Sequence, residues 1–575
     1  SLYKKNNIVF GNVVPLGYQN KDHFKNNKLL NIVCAIDGLV FVSNKEKKLV
    51  SKKFDIDIEL SDYELIPYLY RLYHKNIVYH ISGLFNIFFY DNNNNTALLI
   101  NDRFGYLPLY IYDRKNFVIF SSKIEGILSS GLMPKIEFDR VTIAEHLFFN
   151  YPLTDHTYIS KIETLDNAQQ IYFTSNSLIK KKYWSIGELF CKEDYNLEDS
   201  FHVIDFSLYK SIIQLFQNND NIINFSLTGG WDSRVILSYL LPNYKNRIKL
   251  YSFGAINSSD IKIPEIISDK EDLNYQPYIL NKKYLSNEFI KTARQTIVLS
   301  SGTRNYKRSH YLYSVKKLHE ISNYLLTGIF GDEIFKFGKP QGGAVLSSNT
   351  ISLIDNNFSF DYFKNRILEN EVSKLSWFHG INFIEKFRER IRILHKKFNN
   401  YENKSHKHFA FRFGINLRKY FGNEANSYND FVFCYSPFIE YNFIKNYSRT
   451  KYAGFRFNFN SNNFKLKKFS SDLYTKLVIT RYPKLACYPT SRGYSMKDTK
   501  RLAGILKILY EKYLKNTNRD LDAFNTNETY SIFTDMLNNI KSNKFDISEI
   551  TKLNNSKDDA LSLMYWIWHV ENNYL

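Results

Sequence analysis

The sequence predicts two units in series: a β-rich α+β unit over residues 1–190, then an α/β unit over residues 191–575 whose parallel sheet runs into a helical C-terminal part. Three features carry that expectation. Short apolar runs punctuated by turn signals crowd the first 110 or so residues. From about residue 195, longer helical patterns alternate with isolated apolar strands. Two of those strands end in glycines followed by carboxylates. A chain of 575 residues, 44% hydrophobic and 23% charged, can build more than one core, which excludes disordered and fibrous classes.

In chain order, the first unit offers strands at Ile32 to Ile36, Leu39 to Val42, Phe85 to Tyr90 and Ala97 to Ile100. Asp37-Gly38 and the polar run Asp91 to Asn95 read as the turns between them. One helix interrupts: Ser61-Asp62-Tyr63-Glu64 has the pattern of a capped start, and Leu65, Leu69 and Leu72 follow at helical spacing. The boundary between the units is expected between Trp184 and Asn196. Further on, Phe383, Phe387, Ile391, Leu394 and Phe398 form the apolar stripe of a core helix, with Arg388, Arg390, Arg392, Lys396 and Lys397 on its solvated faces. His406 and His408 read as exposed loop histidines, not metal ligands.

Charge and cysteines narrow the setting. Lys and Arg number 77 against 57 Asp and Glu, a net of +20, which admits nucleic acid, an anionic surface or an acidic substrate. Residues 1–190 hold 22 of the basic and 19 of the acidic residues, so the excess belongs to the second unit. The four cysteines, Cys34, Cys191, Cys434 and Cys487, form no CxxC, and a reducing, cytoplasmic setting fits them. The apolar run from Ile8 to Phe10 and on to Val13 and Val14 is broken by Gly11 and Asn12, so no signal peptide is expected, and no run suffices for a membrane span.

The strongest local signal runs from Ile222 to Leu237: an apolar strand, Thr228, Gly229, Gly230, Trp231, and a helix opening on Asp232 and Ser233. Adjacent glycines let a ligand approach the backbone, and the amides of a helix start suit a phosphate. No GK[ST] follows, so this is not the phosphate loop of kinases and GTPases. One hundred residues later the logic recurs in Tyr324-Leu325-Leu326-Thr327-Gly328-Ile329-Phe330-Gly331-Asp332-Glu333. Asp232 and Asp332 could then hold Mg²⁺ from two loops against a polyphosphate, since that ion takes one or two carboxylates plus phosphate oxygens.

With these residues in view, Thr228 to Ser233 resembles the SGGxDS pyrophosphate loop of ATP pyrophosphatases, and Thr327 to Glu333 the later SGxGxDE segment of the asparagine synthetase branch. The first unit resembles the same branch: Gly83-Leu84-Phe85-Asn86 with Asp91, Asn101 to Tyr110, and Ser121 to Glu125 are similar in order and spacing to its class B amidotransferase domain. Tyr183-Trp184 and Tyr435 to Glu440 extend the likeness. Lasso-peptide cyclases and β-lactam synthetases are related branches. The resemblance implies an amidotransferase-like domain of the Ntn-hydrolase sandwich type over 1–190 and an ATP-pyrophosphatase domain (adenine nucleotide α-hydrolase-like) over 191–575.

The implied reaction is adenylation of a substrate carboxylate by ATP, releasing pyrophosphate, followed by attack of ammonia or an amine to give an amide and AMP. Thr228, Gly229, Gly230, Ser233 and Gly331 would border the phosphates, and Asp232 and Asp332 would bind Mg²⁺. Leu227 and the strand end Ser252-Phe253-Gly254 would border adenine. A cation should offset charge in the transition state; Arg492 stands nearest the family's lysine, with Lys497 or Lys484 as substitutes. Glu333, Asp260 and Glu440 are candidates for substrate or amine contact.

Two departures bear on substrate. The chain begins Ser1-Leu2 where glutamine-hydrolysing members begin with a cysteine, so the first domain is expected to keep its fold without glutaminase activity, with Ser1 a remote alternative nucleophile. Asp37-Gly38 and Asp62 resemble the glutamine-binding segments. Ile329 and Phe330 replace the Glu-Gly of asparagine synthetases and the tyrosine of β-lactam-forming relatives, which makes aspartate a doubtful substrate. The expected substrate is a specialised carboxylate: an acid of an anionic surface glycan, a small metabolite, or a precursor peptide closed on its own amine. Asparagine synthesis with free ammonia and lasso-peptide cyclisation stay open, as do a tRNA-modifying ATP pyrophosphatase, although nucleic acid suits the first domain poorly, and a catalytically silent scaffold.

Overall fold

The computed structural model describes residues 2–5, 8–11, 23–57, 59–173, 178–217, 220–335, 346–370, 372, 375–378, 382–401, 403–457, 464–500, 502–511, 526–540, 547–553 and 556–575. Ser1, Val13 and Val14 lie outside them, as does the Phe383 side chain.

The first unit is a β-sandwich whose layers follow from strand periodicity. Six antiparallel strands lie in the order Leu178–Lys182, Gln169–Phe173, Thr96–Asn101, Ile81–Asp91, Ile32–Val42 and Phe24–Asn27. Along Ile32–Val42 alternate residues face opposite ways. Ile32, Cys34 and Ile36 pack with Leu65, Ile66 and Leu69 of the helix Asp62–Tyr73. Val33 instead joins Phe88, Tyr90 and Leu99 against Leu109, Ile111 and Leu165, at the second, three-stranded sheet formed by Phe117–Ser121, Tyr110–Arg114 and Ile162–Thr164.

Three expectations need correcting here. The helix at 61 has the expected reciprocal cap between Ser61 and Glu64, but a second helix, Asn44–Phe54, precedes it, with Ser43 accepting from the Glu46 amide. Its apolar signal is faint because Val50 is the one hydrophobic residue it buries; the Ser43–Glu46 spacing was the available sign. Asp37-Gly38 is not a turn but the middle of one eleven-residue strand. There Gly38 takes φ +97° and, across the ladder, Gly83 takes φ +119°; an added Cβ would lie 2.1 Å from Leu84 O and from Leu39 O respectively. Gly38→Ala is therefore expected to cost about 3 kcal/mol or more, read as a lowered unfolding midpoint in denaturant. Third, His406 and His408 lie on the helix Lys404–Phe411, not in a loop. His408 is buried with Nε2 2.8 Å from Asp355 Oδ1, and His406 stacks on Phe190.

After the helix Leu197–Gln217 comes a five-stranded sheet, every neighbour parallel, in the order Tyr275–Ile279, Ile248–Gly254, Ile223–Ser226, Tyr324–Leu326, Phe433–Tyr435. The chain starts at the centre, builds to one side, then returns and builds to the other. Strands Ile223–Ser226 and Tyr324–Leu326 thus flank the point where the winding reverses, and open α/β sheets bind ligands at the carboxyl ends of such a pair. Helices Phe464–Arg481, Thr526–Asn538 and Lys557–Tyr574 form the C-terminal part. The helix Phe383–Phe398 buries Phe387, Ile391, Leu394 and Phe398, as its stripe predicts, while Arg390 and Lys397 pair with Asp139 and Asp166. No helix among the described residues is long and apolar enough to cross a membrane.

The two units are joined through a charged seam. Asp166 accepts from Lys182 Nζ at 3.0 Å, Lys397 Nζ at 3.0 Å and Arg418 Nη1 at 2.6 Å. Arg418 also reaches Asp155 at 3.0 Å and the Leu165 carbonyl at 2.7 Å. Close by, Gly422 lies so near the 102–106 turn that a Cβ would sit 1.9 Å from Tyr106 O. That turn is itself wound on Asp102, whose carboxylate accepts from the amides of Phe85, Phe104 and Tyr106. Burial pushes the Asp102 carboxyl up to about 6 against the pull of those amides.

Candidate active site

The strand Ile223–Ser226 is extended by Leu227, buried, whose amide donates to Tyr251 O at 3.0 Å. Beyond it the chain turns through Thr228-Gly229-Gly230-Trp231 into the helix Asp232–Tyr244. Short side chains brace the turn from within. The Thr228 amide donates to Ser233 Oγ, the Gly230 amide to Thr228 Oγ1, and the two hydroxyls lie 3.3 Å apart. The Gly229 amide donates to Asp260 Oδ1 at 2.9 Å. Asp260 belongs to the first turn of the helix Ser259–Glu271, so the structure places it on the glycine loop itself.

The second loop leaves Tyr324–Leu326 with the Thr327 amide bonded to Tyr435 O. Phe330 then takes φ +71°, rare for a bulky residue, with its ring buried 5.4 Å from those of Phe413 and Phe421. Strain of this kind must be held in place by the packing around it. Its effect is to deliver Gly331 against the first loop: a Cβ there would lie 2.6 Å from Asp232 Cγ, and one on Gly328 3.0 Å from Asp232 Cβ. The repeated glycines thus let two carboxylate-bearing loops touch. Ile329 is half-buried, with its carbonyl accepting from Ser436 Oγ at 2.6 Å.

Asp232, Asp332 and Glu333 share one neighbourhood, because all three act electrostatically on Tyr474, whose hydroxyl donates to Asp232 Oδ1. Burial first, then those carboxylates, push the tyrosine well above its ordinary value. Beneath them Arg412, fully buried, donates to the Glu333 carbonyl at 2.7 Å. Burial brings its guanidinium down to about 10, against the opposing charges of Glu333 and Asp332. Among the described residues no three His, Cys, Asp or Glu side chains form a cage for a metal. The donor set suits an ion that takes one or two carboxylates and completes its shell from a ligand's oxygens.

A third segment lies across the glycine loop. The Ser491 amide donates to Gly229 O at 3.0 Å, and Ser491 Cβ limits the space at Gly229. Arg234, buried two residues after Asp232, donates to Tyr488 O at 2.8 Å and Pro489 O at 2.6 Å. This brings Arg492 over the Trp231 ring, 5.6 Å from its centroid. Arg492 is exposed, with Nη1 3.5 Å from the Tyr494 hydroxyl; partial desolvation would lower its guanidinium, but Tyr494, then Asp332 and Tyr474, more than offset it. Lys497 is not brought there; it lines a separate hollow with Cys487 and Asp498, and Lys484 pairs with Glu271. Glu440 caps the helix Tyr441–Ser448.

At the end of the strand Ile248–Gly254, Phe253 is half-buried with His310 and Tyr311 at 4.7 and 4.8 Å. Burial and then Arg308 push the His310 imidazole down to about 3, so it is a neutral ring. Ser252 Oγ lies 2.5 Å from the Tyr275 hydroxyl, and the Gly254 carbonyl accepts from Leu280. In the first unit, Asp62 is paired with Lys47 at 2.7 Å and accepts from the Val42 amide. Asp37 accepts from Asn86 and Asn429 at a cavity of about 680 Å³ between the two sheets' units.

Sequence reasoning missed Tyr474, Arg412, Arg234, His310 and Tyr311. Arg234 stood inside the motif and had a signal, a charge in an otherwise apolar helix start. The others come from distant segments with no pattern of their own.

Residues 30–184 match the glutamine amidotransferase domain family. The chain is 24% identical over 269 residues, 45% of its length, to asparagine synthetase [glutamine-hydrolyzing] 2 of Bacillus subtilis, covering 34% of that protein. It is 25% identical over 266 residues, again 45% of its length, to putative asparagine synthetase [glutamine-hydrolyzing] 1 of Methanocaldococcus jannaschii, covering 43% of that protein. The chain thus spans less than half the length of these curated relatives.

Proposed function

We propose that this asparagine synthetase-like chain is an ATP-dependent amide ligase that adenylates a substrate carboxylate, releases pyrophosphate, and passes the acyl group to ammonia or an amine. One observation carries the reading: the close approach of Gly331 to Asp232, which sets the loops of Asp232 and Asp332 against each other at a glycine-lined helix start where the winding of a parallel sheet reverses.

In this reading the pyrophosphate takes the place of Asp260 Oδ1 at the Gly229 amide and of Thr228 Oγ1 at the Gly230 amide, and the freed Thr228 and Ser233 hydroxyls turn to it. Asp232 and Asp332 hold the metal, and Phe253 with its neutral neighbour His310 borders adenine. Mg²⁺, when bound, neutralises charge on the phosphates that leave. The substrate carboxylate oxygen attacks the α-phosphorus, and the α–β bond breaks to release pyrophosphate. Arg492, from the exposed segment that crosses the glycine loop, meets the charge that develops there. The amine then attacks the acyl carbon and AMP leaves. Glu333 belongs to this cluster and is buried, and its main-chain carbonyl, gripped by Arg412, helps to hold the second loop.

We assign the ligase to residues 191–575 and an amidotransferase-like unit without glutaminase activity to residues 1–190; the commitment of Asp62 to Lys47 and the Val42 amide supports the second assignment. The basic excess of the second unit favours an anionic glycan or an acidic precursor peptide as the carboxylate. The test is Mg²⁺-dependent exchange of labelled pyrophosphate into ATP across a panel of uronic acids, amino acids and acidic peptides. Exchange with one class supports the reading; ATP cleaved to ADP overturns it. Arg234→Met, which frees the Tyr488 and Pro489 carbonyls and lets Arg492 drift, is expected to slow exchange about 100-fold and to open residues 488–493 to proteases.

A further inference from the structure

The strand–loop–helix units explain where Asp232 and Asp332 lie, but not what fixes the rotamer of Asp232. Asp232 is the first residue of its helix, and Trp231 before it supplies no side-chain cap. A carboxylate at such a position is drawn toward the amides of its own first turn and away from a metal. Tyr474 opposes that movement. It sits on the helix Phe464–Arg481, 242 residues away, and its hydroxyl donates to Asp232 Oδ1. Its ring meets Trp231 edge-on at 5.6 Å and Phe335, at the end of the short helix carrying Asp332, edge-on at 5.1 Å. One turn earlier on the same helix, Ser470 Oγ donates to the Phe335 carbonyl. One helix face is thus tied to both aspartate loops.

We propose that Tyr474 is a positioning residue that holds the Asp232 carboxylate for the metal and, with Ser470, clamps the two aspartate loops together from the C-terminal helices; this rests on the adenylating reading above. A charge-assisted O–H···O bond is strong enough to set a carboxylate's orientation, and groups that orient a ligand commonly tune metal affinity by one to two orders of magnitude.

The test is calorimetric titration of Mg²⁺ with α,β-methylene ATP, which cannot release pyrophosphate, into the full chain and its variants. Tyr474→Phe keeps both ring contacts and is expected to weaken Mg²⁺-dependent binding about 10- to 100-fold with an unchanged melting temperature. In turnover, half-saturation by Mg²⁺ should rise while kcat at saturating Mg²⁺ recovers. Tyr474→His, which keeps a ring N–H donor, should regain part of the affinity. In an Asp232→Asn background the tyrosine substitution should cost nothing further. A Tyr474→Phe protein that binds as the parent does, or that loses the same factor on Asp232→Asn, overturns the proposal alone. A parent chain that binds no Mg²⁺–nucleotide overturns the adenylating reading with it.

Discussion

Asp232→Asn is expected to lower AMP and pyrophosphate formation by about 1,000-fold, the scale on which losing one preorganised charge contact is felt, while leaving the melting temperature near that of the parent. The substitution removes a charge and little else. Losing the aspartate charge in the first helical turn costs only about 0.3–1 kcal/mol against the helix dipole, and asparagine fits against Gly328 and Gly331 as the aspartate does and still offers an oxygen to the Tyr474 hydroxyl. It no longer supplies the anionic oxygen that a hard cation requires. Raising Mg²⁺ should restore little activity, because the metal's competitor is water and the remaining protein carboxylate in this reading is Asp332. Single-turnover formation of AMP is the readout, and turnover within a few-fold of the parent would show that this loop does not handle the metal.

Asp166→Asn is expected to be the most destabilising single substitution among those considered, by about 3–5 kcal/mol. Three cations converge on this carboxylate, and the Arg418 side chain is only 3% exposed. Burial would raise the Asp166 carboxyl, yet Lys397, Arg418 and Lys182 hold it well below the usual carboxylate range. The folded-state value thus lies below the unfolded one, so the stabilisation is complete above about pH 4 and is lost as pH falls. Neutralising Asp166 leaves the buried Arg418 with the half-exposed Asp155 as its anionic partner, and Lys182 and Lys397 facing it without their shared carboxylate. Because Lys182 comes from the first unit and Arg418 from the second, the loss should appear as a lowered unfolding midpoint for the whole chain, and the acid limb of its pH–stability curve should flatten.

The parts legible in the sequence share a cause: each is written in consecutive residues. The strand before Asp232, the two glycines and the helix after them are one local pattern, as is the Ser61–Glu64 cap. The parallel sheet was readable in kind, though its order was not, because which strand neighbours which depends on crossovers that no window contains. Asp37-Gly38 misled for a physical reason. A glycine beside an aspartate is common in turns, but this one serves a left-handed kink inside a strand, where Gly83 across the ladder does the same. Arg492 could be placed only by likeness. Its geometry depends on Arg234 gripping two carbonyls more than 250 residues away, and neither end of that contact signals the other. Tyr474 lay deeper still, in a helix with no apolar periodicity to draw attention to it.

The central claim is that a carboxylate becomes an acyl-adenylate. Oxygen-18 transfer tests it most directly: the first carboxylate found to support AMP formation is supplied with both oxygens labelled, the reaction is run with Mg²⁺–ATP and the amine, and the AMP is weighed by mass spectrometry. Attack of that carboxylate on the α-phosphorus leaves one of its oxygens on AMP when the amine displaces it, so AMP heavier by one oxygen-18 atom is the predicted result. Unlabelled AMP, or label found in inorganic phosphate, would contradict it.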